Sequence, residues 1–284
     1  MHIKEAVINM KILKKCVLAD LAGTKITRIE VSAPDIAKKA RAGQFIALMV
    51  SDKGERIPLT IVDTNNNTGS ITLICQELGF TTKLLGQMNE GNALYSLVGP
   101  LGHATEIKNY GKVILVGGGV GIAEIYPVAK ALKAAGNHIT TILGSRTKSL
   151  LILENELKAV SDIFLVATDD GSYGRKGFTT DILDEELQKQ KYGLVYSVGP
   201  IPMMKRSAAV TAKYGVKTIV SLNAIMIDAT GMCGCCRVTI GGKTLFSCVD
   251  GPEFDAHQVD WDELIKRNRI YEDKEKHICN LKKL

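Results

Sequence analysis

Four cysteines and an aspartate lie close together near the carboxyl end of the chain: Asp228, Cys233, Cys235, Cys236 and Cys248. Cys233 and Cys236 form a C-x2-C pair on a glycine-containing segment. A thiolate is a soft ligand, and two thiolates separated by two residues can bind one metal centre because the backbone between them curls round it. These residue types and this spacing predict a metal site, with iron or zinc as the metal.

The spacing favours an iron–sulfur cluster over zinc. Plant-type two-iron clusters have the pattern C-x4-C-x2-C with a distant fourth cysteine, and Cys233, Cys236 and Cys248 fit its second, third and fourth ligands. The first ligand position then falls on Asp228, which gives D-x4-C-x2-C-x11-C and leaves Cys235 as a spare thiol. We therefore predict a [2Fe-2S] cluster bound by Asp228 and the three cysteines. The alternatives are a zinc site, unliganded cysteines, and Asp228 as a loop cap beside a solvent-ligated cluster.

The elements that must position this site begin with a strand-rich amino-terminal region. Its strand-like segments are 25–31, 43–50, 57–62 and 70–75. Turn residues separate these strands at short intervals, and only 34–41 and 82–88 have helical patterns. Regularly spaced short strands predict an antiparallel barrel.

The middle of the chain has a different pattern, in which buried strands alternate with helices. The predicted strands are 112–116, 138–143, 163–168 and 194–198, and the predicted helices are 123–135, 151–160 and 180–191. This alternation predicts a parallel sheet with helices on both faces. A glycine-containing turn follows each strand, at the edge where open α/β sheets bind ligands.

The segment Arg56-Ile-Pro-Leu-Thr60 resembles the R-x-P-x-S/T flavin motif of the ferredoxin-NADP reductase superfamily. Arg56 can pair with a pyrophosphate through its planar guanidinium, and the Thr60 hydroxyl can bond near flavin N5, which makes Thr60 the predicted catalytic residue. Gly79-Phe-Thr-Thr82 resembles the phosphate loop of that superfamily, although Thr81 replaces the usual small residue. The FAD contacts that the resemblance implies are Arg56, Ile57, Pro58, Leu59, Thr60, Ile74, Gln76, Gly79, Thr81 and Thr82.

The glycine turns of the middle region resemble the nicotinamide nucleotide site of the same superfamily. They are Gly117-Gly-Gly-Val-Gly-Ile122, Asp169-Asp-Gly-Ser-Tyr-Gly174 and Gly199-Pro200 with Met203. Arg146 could pair with a 2′-phosphate and select NADP, whereas the family resemblance implies NAD(H), so the sequence leaves this choice open. The implied NAD(P)H contacts are Gly117, Gly118, Gly119, Gly121, Ile122, Gly144, Ser145, Arg146, Asp170, Gly171, Gly199, Pro200 and Met203.

The order of barrel, nucleotide domain and cluster resembles the electron-transfer subunit of dihydroorotate dehydrogenase. A narrower resemblance rests on Asp228, on Met232-Cys-Gly-Cys-Cys-Arg-Val-Thr239 and on Asp250-Gly-Pro-Glu-Phe-Asp-Ala256, which look like the small subunit of NADH-dependent ferredoxin:NADP oxidoreductase, also called the sulfide dehydrogenase beta subunit. It implies FAD, a [2Fe-2S] cluster and NAD(H). It also implies a larger flavin and [4Fe-4S] partner subunit in an electron-bifurcating complex that reaches ferredoxin.

Three other functions remain open at this stage. A dihydroorotate-type subunit would have four cysteine ligands, a stand-alone NAD(P)H:ferredoxin reductase would need no partner, and a nucleotide-binding protein with structural zinc would contain no iron. The acidic and aromatic stretch around Trp261 is either a packing lid over the cluster region or a surface that docks a subunit.

We expect a β plus α/β chain of three domains. These are an antiparallel Greek-key FAD-binding β-barrel at 1–103, a parallel-sheet NAD(P)-binding domain at 104–222, and a [2Fe-2S] module with a carboxyl-terminal helix and tail at 223–284. The length of 284 residues accommodates two domains and a small third.

Composition excludes some classes of function. The formal net charge of +6 is scattered and aromatic residues are few, so we expect no nucleic-acid partner. No apolar stretch approaches the ~18 residues of a membrane span, so we expect no membrane association. Clustered thiols, and an amino terminus without a signal-peptide pattern, predict a cytoplasmic protein.

Overall fold

The computed structural model describes residues 10–21, 23–274 and 277. Its strands are β1 (Ile12–Leu21), β2 (Thr24–Ser32), β3 (Phe45–Met49), β4 (Ile57–Thr60), β5 (Asp63–Asn65), β6 (Ser70–Gln76), β7 (Ser96–Leu101), β8 (Lys112–Gly118), β9 (His138–Ser145), β10 (Ile163–Thr168), β11 (Arg175–Lys176), β12 (Leu194–Val198), β13 (Thr218–Ser221), β14 (Arg237–Ile240), β15 (Lys243–Phe246) and β16 (Glu253–Asp255). Its helices are α1 (Pro34–Lys39), α2 (Phe80–Gln87), α3 (Ile122–Ala134), α4 (Glu154–Val160), α5 (Thr179–Lys189), α6 (Ile201–Ala212) and α7 (Trp261–Arg267). The start of the first predicted domain and the tail of the third lie outside the described residues.

The amino-terminal strands form two antiparallel sheets, in the orders β1-β2-β6-β5 and β4-β3-β7. The sheets join just after β4, where the Ile61 N–H donates to the Gln44 carbonyl and the Val62 N–H donates to the Thr72 carbonyl. Alternate apolar side chains of both sheets point inward, and Ile46 at 0% exposure lies at the centre of their core. This architecture confirms the predicted antiparallel barrel and fixes β4 between the two sheets.

The middle of the chain forms a seven-stranded sheet in the order β11-β10-β9-β8-β12-β13-β16. All pairs are parallel except the last, in which β16 runs antiparallel to β13. The parallel sheet was predicted, and helices α3 and α5 pack on its opposite faces. The edge strand β16 was not predicted, because three residues that follow the cluster loop carry no periodicity of their own.

One predicted helix is shorter than its apolar pattern suggested. The sequence indicated a helix over 151–160, but α4 begins at Glu154. Leu153 has φ 53°, in the left-handed region that breaks a helix for an L residue. Residues 148–150 instead form a separate 3₁₀ turn.

A hairpin of β14 and β15 follows the cysteines. Its two turn residues, Gly241 and Gly242, have φ values of 56° and 77°. A two-residue turn with positive φ at both positions matches the twist of the strands, and glycine adopts it without strain. The hairpin returns the chain to Cys248. Among the helices that the structure describes, none is long and apolar enough to cross a membrane.

Two apolar clusters join the parts of the chain to one another. The first packs α3 against barrel residues that include Val62 and Ile74. The second packs the hairpin and cysteine loop against α6 and against Phe45 and Ala47 of β3. The elements that carry the predicted flavin, nucleotide and cluster residues are thus held together by buried contacts.

Candidate functional site

The predicted flavin strand β4 faces both the nucleotide domain and the cysteine loop. The Thr60 hydroxyl donates to Oε2 of Glu124, in the first turn of α3, across 3.3 Å. At the other end of the strand, Arg56 Nη1 donates to the backbone carbonyl of Asp228 across 3.5 Å. The strand therefore lies between the residues predicted to bind the nucleotide and those predicted to bind the cluster.

The start of helix α2 has the open shape that a phosphate requires. Gly79 is its N-cap, and a Cβ built there meets no atom within 4 Å. The Thr82 hydroxyl accepts hydrogen bonds from the N–H groups of Leu78 and Gly79, each at 3.0 Å, and so fixes the turn. The unusual Thr81 is buried, and its hydroxyl donates to Glu55 across 3.0 Å. A helix start of this kind suits an anion.

The other predicted flavin residues lie on the same two strands. Ile57, Pro58 and Leu59 belong to β4, where Ile57 and Leu59 pack against the barrel core. Ile74 and Gln76 belong to β6, and Ile74 is buried in the cluster shared with α3. The side chains of Ile57, Leu59 and Ile74 serve packing, which leaves their backbone groups for a cofactor.

The glycine turns after β8 and β12 pack directly on each other. A Cβ on Gly121 would lie 2.7 Å from the Val198 carbonyl oxygen and 2.9 Å from Gly199 Cα. A Cβ on Gly118 would lie 2.5 Å from Met203 Sδ, and Gly199 itself has φ 157°. Adjacent parallel strands bring the two turns together, and only glycine permits this approach. Of the predicted nucleotide residues, Gly117 and Gly118 end β8, Gly119 and Gly121 form the turn, Ile122 starts α3, and Pro200 caps α6.

The turns after β9 and β10 complete the same edge of the sheet. Gly144 and Ser145 end β9, and the Ser145 hydroxyl donates to the Thr147 carbonyl across 2.8 Å. Arg146 reaches across to the barrel and donates to the Thr24 hydroxyl. Asp170 accepts from the Ser172 N–H at 2.9 Å, and hydrogen bonds from Ser172 lower the pKa of its carboxyl. Gly171, at φ 77°, follows in the left-handed region.

The four predicted cluster ligands form two pairs. Cys236 Sγ and Cys248 Sγ lie 3.1 Å apart and are buried. Asp228 Oδ2 accepts from the Cys233 N–H at 3.0 Å. Within the described ranges, no three His, Cys, Asp or Glu residues converge on a point that would hold a single metal ion. A two-iron cluster needs two ligands at each iron; the adjacent sulfurs of Cys236 and Cys248 fit one iron, and the soft donor set fits such a cluster.

Asp228 also performs the alternative role that the sequence left open. Its Oδ1 accepts from the Thr230 N–H at 2.8 Å, and these backbone hydrogen bonds lower the pKa of the carboxyl. The carboxylate therefore caps the loop, and its remaining lone pairs can still ligate a metal. Burial and the adjacent Cys236 raise the pKa of Cys248 to about 12, so metal binding must release this proton.

Two carboxylates, Glu124 beside Thr60 and Glu253 on β16, were missed by the sequence reasoning. Burial raises the pKa of Glu124 to about 7, even though Ser221 and Thr60 donate hydrogen bonds to it. Glu253, on β16, accepts from the Tyr196 hydroxyl at 2.7 Å and from the Thr105 hydroxyl, and burial raises its pKa too. The only signals in the sequence were Glu124, three positions after the last glycine of the turn, and Glu253 within the Asp-Gly-Pro-Glu segment.

Trp261 lies in the structure as the packing alternative predicted. It is half-buried against the cluster that contains Cys236 and Cys248, and its Nε1 donates to the Ala256 carbonyl across 3.1 Å. Nearby, Arg267 of α7 donates to the Cys235 carbonyl across 2.9 Å. Helix α7 thus covers the cysteine loop from one side.

Comparisons with known proteins agree with this arrangement. A family model for the iron–sulfur cluster binding domain of dihydroorotate dehydrogenase B matches residues 223–260, and one for an oxidoreductase NAD-binding domain matches residues 115–209. The chain is 51% identical to a dihydroorotate dehydrogenase B (NAD(+)), electron transfer subunit homolog of Thermotoga maritima, over 87% of each chain. It is 32% identical to the electron transfer subunit of Geobacillus thermodenitrificans, covering 81% of this chain and 91% of that one.

Solved structures extend the likeness to nearly the whole fold. A chain from the structure of an NADH-dependent reduced ferredoxin-NADP oxidoreductase, a study of flavin-based electron bifurcation, superposes with a TM-score of 0.89 at 47% identity. That match covers 96% of this chain and 97% of the other. A ferredoxin-NADP+ reductase from Plasmodium falciparum shares the fold alone, at 14% identity and a TM-score of 0.57 over 72% of this chain and 89% of that one.

Fold and site together define an oxidoreductase of the ferredoxin-reductase type, with a nicotinamide nucleotide domain and an iron–sulfur domain. The barrel, the glycine turns and the cysteine loop account for FAD, NAD(P)H and an iron–sulfur cluster as its cofactors, as the sequence predicted. The chain belongs to the family of dihydroorotate dehydrogenase B electron transfer subunits and their homologues, which confirms the predicted resemblance.

Proposed function

We propose that this chain is the electron-transfer subunit of a larger complex of the NADH-dependent ferredoxin:NADP oxidoreductase type. It would carry electrons between NADH, FAD and a [2Fe-2S] cluster. The observation that carries this proposal is the D-x4-C-x2-C-x11-C frame, on a chain that aligns over 96% of its length with a chain of such an enzyme. We further propose the divisions 1–103, 104–222 and 223–284 as its FAD, nucleotide and cluster domains.

The barrel would bind FAD between β4 and the start of α2. Bound there, FAD supplies a centre that accepts a hydride and releases its electrons one at a time. The Arg56 guanidinium would pair with the pyrophosphate, and the start of α2, with Thr81 and Thr82, would hold a phosphate oxygen. Thr60 would place its hydroxyl at N5. The backbone of Ile57, Pro58, Leu59, Ile74, Gln76 and Gly79 would line the rest.

The sheet edge after β8, β9, β10 and β12 would bind the nicotinamide nucleotide. The glycine turn before α3 would accept its phosphates, and Gly199, Pro200 and Met203 would leave room for the nicotinamide ring. Arg146 is already hydrogen-bonded to the barrel through Thr24. We therefore propose NADH, rather than NADPH, as the nucleotide.

The cysteine loop would hold the [2Fe-2S] cluster through Asp228, Cys233, Cys236 and Cys248. A carboxylate oxygen is a harder donor than a thiolate, so Asp228 would change the potential and lability of the cluster. The Arg56 contact with the Asp228 carbonyl supports close coupling between flavin and cluster. Electrons would pass in either direction between the cluster and a larger flavin and [4Fe-4S] subunit, which would exchange them with ferredoxin and NADP in a bifurcating complex.

A second candidate is the electron-transfer subunit of a dihydroorotate dehydrogenase, because the cluster domain matches the family model of that enzyme. The two functions differ in their acceptors, so purification of the native complex and assay of each acceptor under anaerobic conditions tests them. We expect NADH and reduced ferredoxin together to reduce NADP. Orotate turnover by the complex would instead establish the second candidate, and a monomer with full ferredoxin reductase activity would contradict both.

A further inference from the structure

Two arginines hold the backbone of the cysteine loop from different parts of the chain, and the function proposed above assigns neither of them a role. Arg267, the last residue of α7, donates from Nη2 to the Cys235 carbonyl across 2.9 Å. Arg237, the first residue of β14, donates from Nη1 to the Gly234 carbonyl across 3.5 Å. Both carbonyls lie between the two cysteines of the C-x2-C pair. The positive charge of each guanidinium is therefore placed at the segment that would wrap the iron.

The peptide between Gly234 and Cys235 connects one of these arginines to a predicted ligand. Its carbonyl accepts from Arg237, and its N–H, on Cys235, donates to Cys233 Sγ across 3.5 Å. A peptide whose carbonyl is bound by a cation is a stronger donor at its N–H, because hydrogen bonds in a chain polarise one another. Hydrogen bonds to the ligand sulfurs help to set the potential of an iron–sulfur cluster. Arg237 therefore acts on the Cys233 sulfur through this peptide.

The two guanidinium groups differ in how much solvent surrounds them. Arg267 is half-buried beside the loop, whereas Arg237 is exposed and its contact is longer. In the part of the chain that the structure describes, neither guanidinium is paired with a carboxylate. Water and salt screen an exposed charge much more than a partly buried one. Arg267 therefore exerts the larger electrostatic effect on the loop.

We propose that Arg267, and Arg237 to a smaller extent, raise the midpoint potential of the cluster that this loop would bind. The inference rests on the proposed [2Fe-2S] site. In the step concerned, one electron passes from reduced FAD to the iron of that site, no bond forms or breaks, and no proton moves. Three thiolates and a carboxylate already make the site negative, so nearby positive charge favours the reduced state. A guanidinium supplies that charge at every working pH, because it does not lose its proton in proteins.

Redox titration of the protein reconstituted with iron and sulfide, followed by the electron paramagnetic resonance signal of the reduced cluster, tests this proposal. Arg267→Gln keeps a donor N–H but loses the charge. We expect it to shift the one-electron equilibrium towards the oxidised state by about tenfold, which lowers the potential by about 59 mV. Arg267→Lys keeps the charge and should stay near the wild-type potential. Arg237→Gln should lower the potential less, and that shift should shrink as salt is added.

Lys266→Gln is the matched control, because it removes an exposed positive charge from the neighbouring position of α7. Its potential should equal that of the wild type.

The outcomes separate this inference from the proposed function. A wild-type potential in Arg267→Gln with full iron content refutes the inference alone. An equal fall in Arg267→Lys or in Lys266→Gln refutes it too, since the effect would then not depend on a charge at this contact. If Arg267→Gln loses its iron, Arg237→Gln decides: a lower potential there supports the proposal, and an unchanged one overturns it. A wild-type protein that binds no iron after reconstitution removes the proposed cluster site itself.

Discussion

Alanine at Gly121 gives a direct test of the close approach between the turns after β8 and β12. Gly121 has φ −60°, which alanine adopts freely, so backbone strain does not enter. Its new Cβ would lie 2.7 Å from the Val198 carbonyl oxygen and 2.9 Å from Cα and N of Gly199, all of them backbone atoms that cannot rotate away. The start of α3 must therefore move off β12.

Gly118→Ala is the matched control, because the same methyl is added at φ −123° and meets mainly Met203. A methionine side chain can adjust its rotamer, so we expect Gly118→Ala to cost about 1 kcal/mol and Gly121→Ala about 3 kcal/mol, the ends of the range for overpacking. Urea denaturation monitored by circular dichroism measures both values. Titration with NADH should show that Gly121→Ala lowers the affinity for NADH by about tenfold or more. Equal losses in the two variants would refute the packing argument.

Variants at three further residues test other parts of the site. Glu124→Gln should be more stable than the wild type at pH 8 and equally stable at pH 4. Burial raises the pKa of the Glu124 carboxyl from 4.5 to about 7, so the wild type loses up to ~3 kcal/mol of folding free energy as the pH rises through that window. Urea midpoints that differ equally at both pH values would contradict this. Arg56→Ala should lose most of its FAD, measured as flavin absorbance per protein, and full flavin content would exclude the pyrophosphate role. Asp228→Cys should retain the cluster with a shifted midpoint potential, whereas Asp228→Asn, which keeps an oxygen to cap the loop, should lose iron on dilution. An unchanged potential together with stable iron in Asp228→Asn would leave Asp228 as a cap only.

The sequence could predict the cluster ligands and the flavin strand because each predicted set is local. Cys233, Cys236 and Cys248 lie on one loop and the hairpin that follows it, so their spacing carries the geometry. The motif consists of Arg56 and the strand Ile57–Thr60 that follows it, where alternate side chains face one way. Local patterns of this kind can be recognised in a sequence without knowledge of the tertiary fold.

The carboxylate pair could not be predicted in the same way. Glu124 and Glu253 are far apart in the sequence, and the effect of Glu253 on Glu124 depends on β16 joining the edge of the parallel sheet. The loop cap at Asp228 was weighed as an alternative to ligation, whereas the structure shows that capping and a free lone pair coexist. The predicted start of the helix over 151–160 was wrong because of Leu153, whose left-handed backbone no propensity indicates.

The visible spectrum of anaerobically purified protein, with its iron, zinc and flavin content, tests the central claim most directly. The account predicts flavin bands over a broad iron–sulfur absorption, at about two irons for each flavin, that bleach when NADH is added. A colourless protein that contains zinc and no iron, even after reconstitution with iron and sulfide, would contradict it.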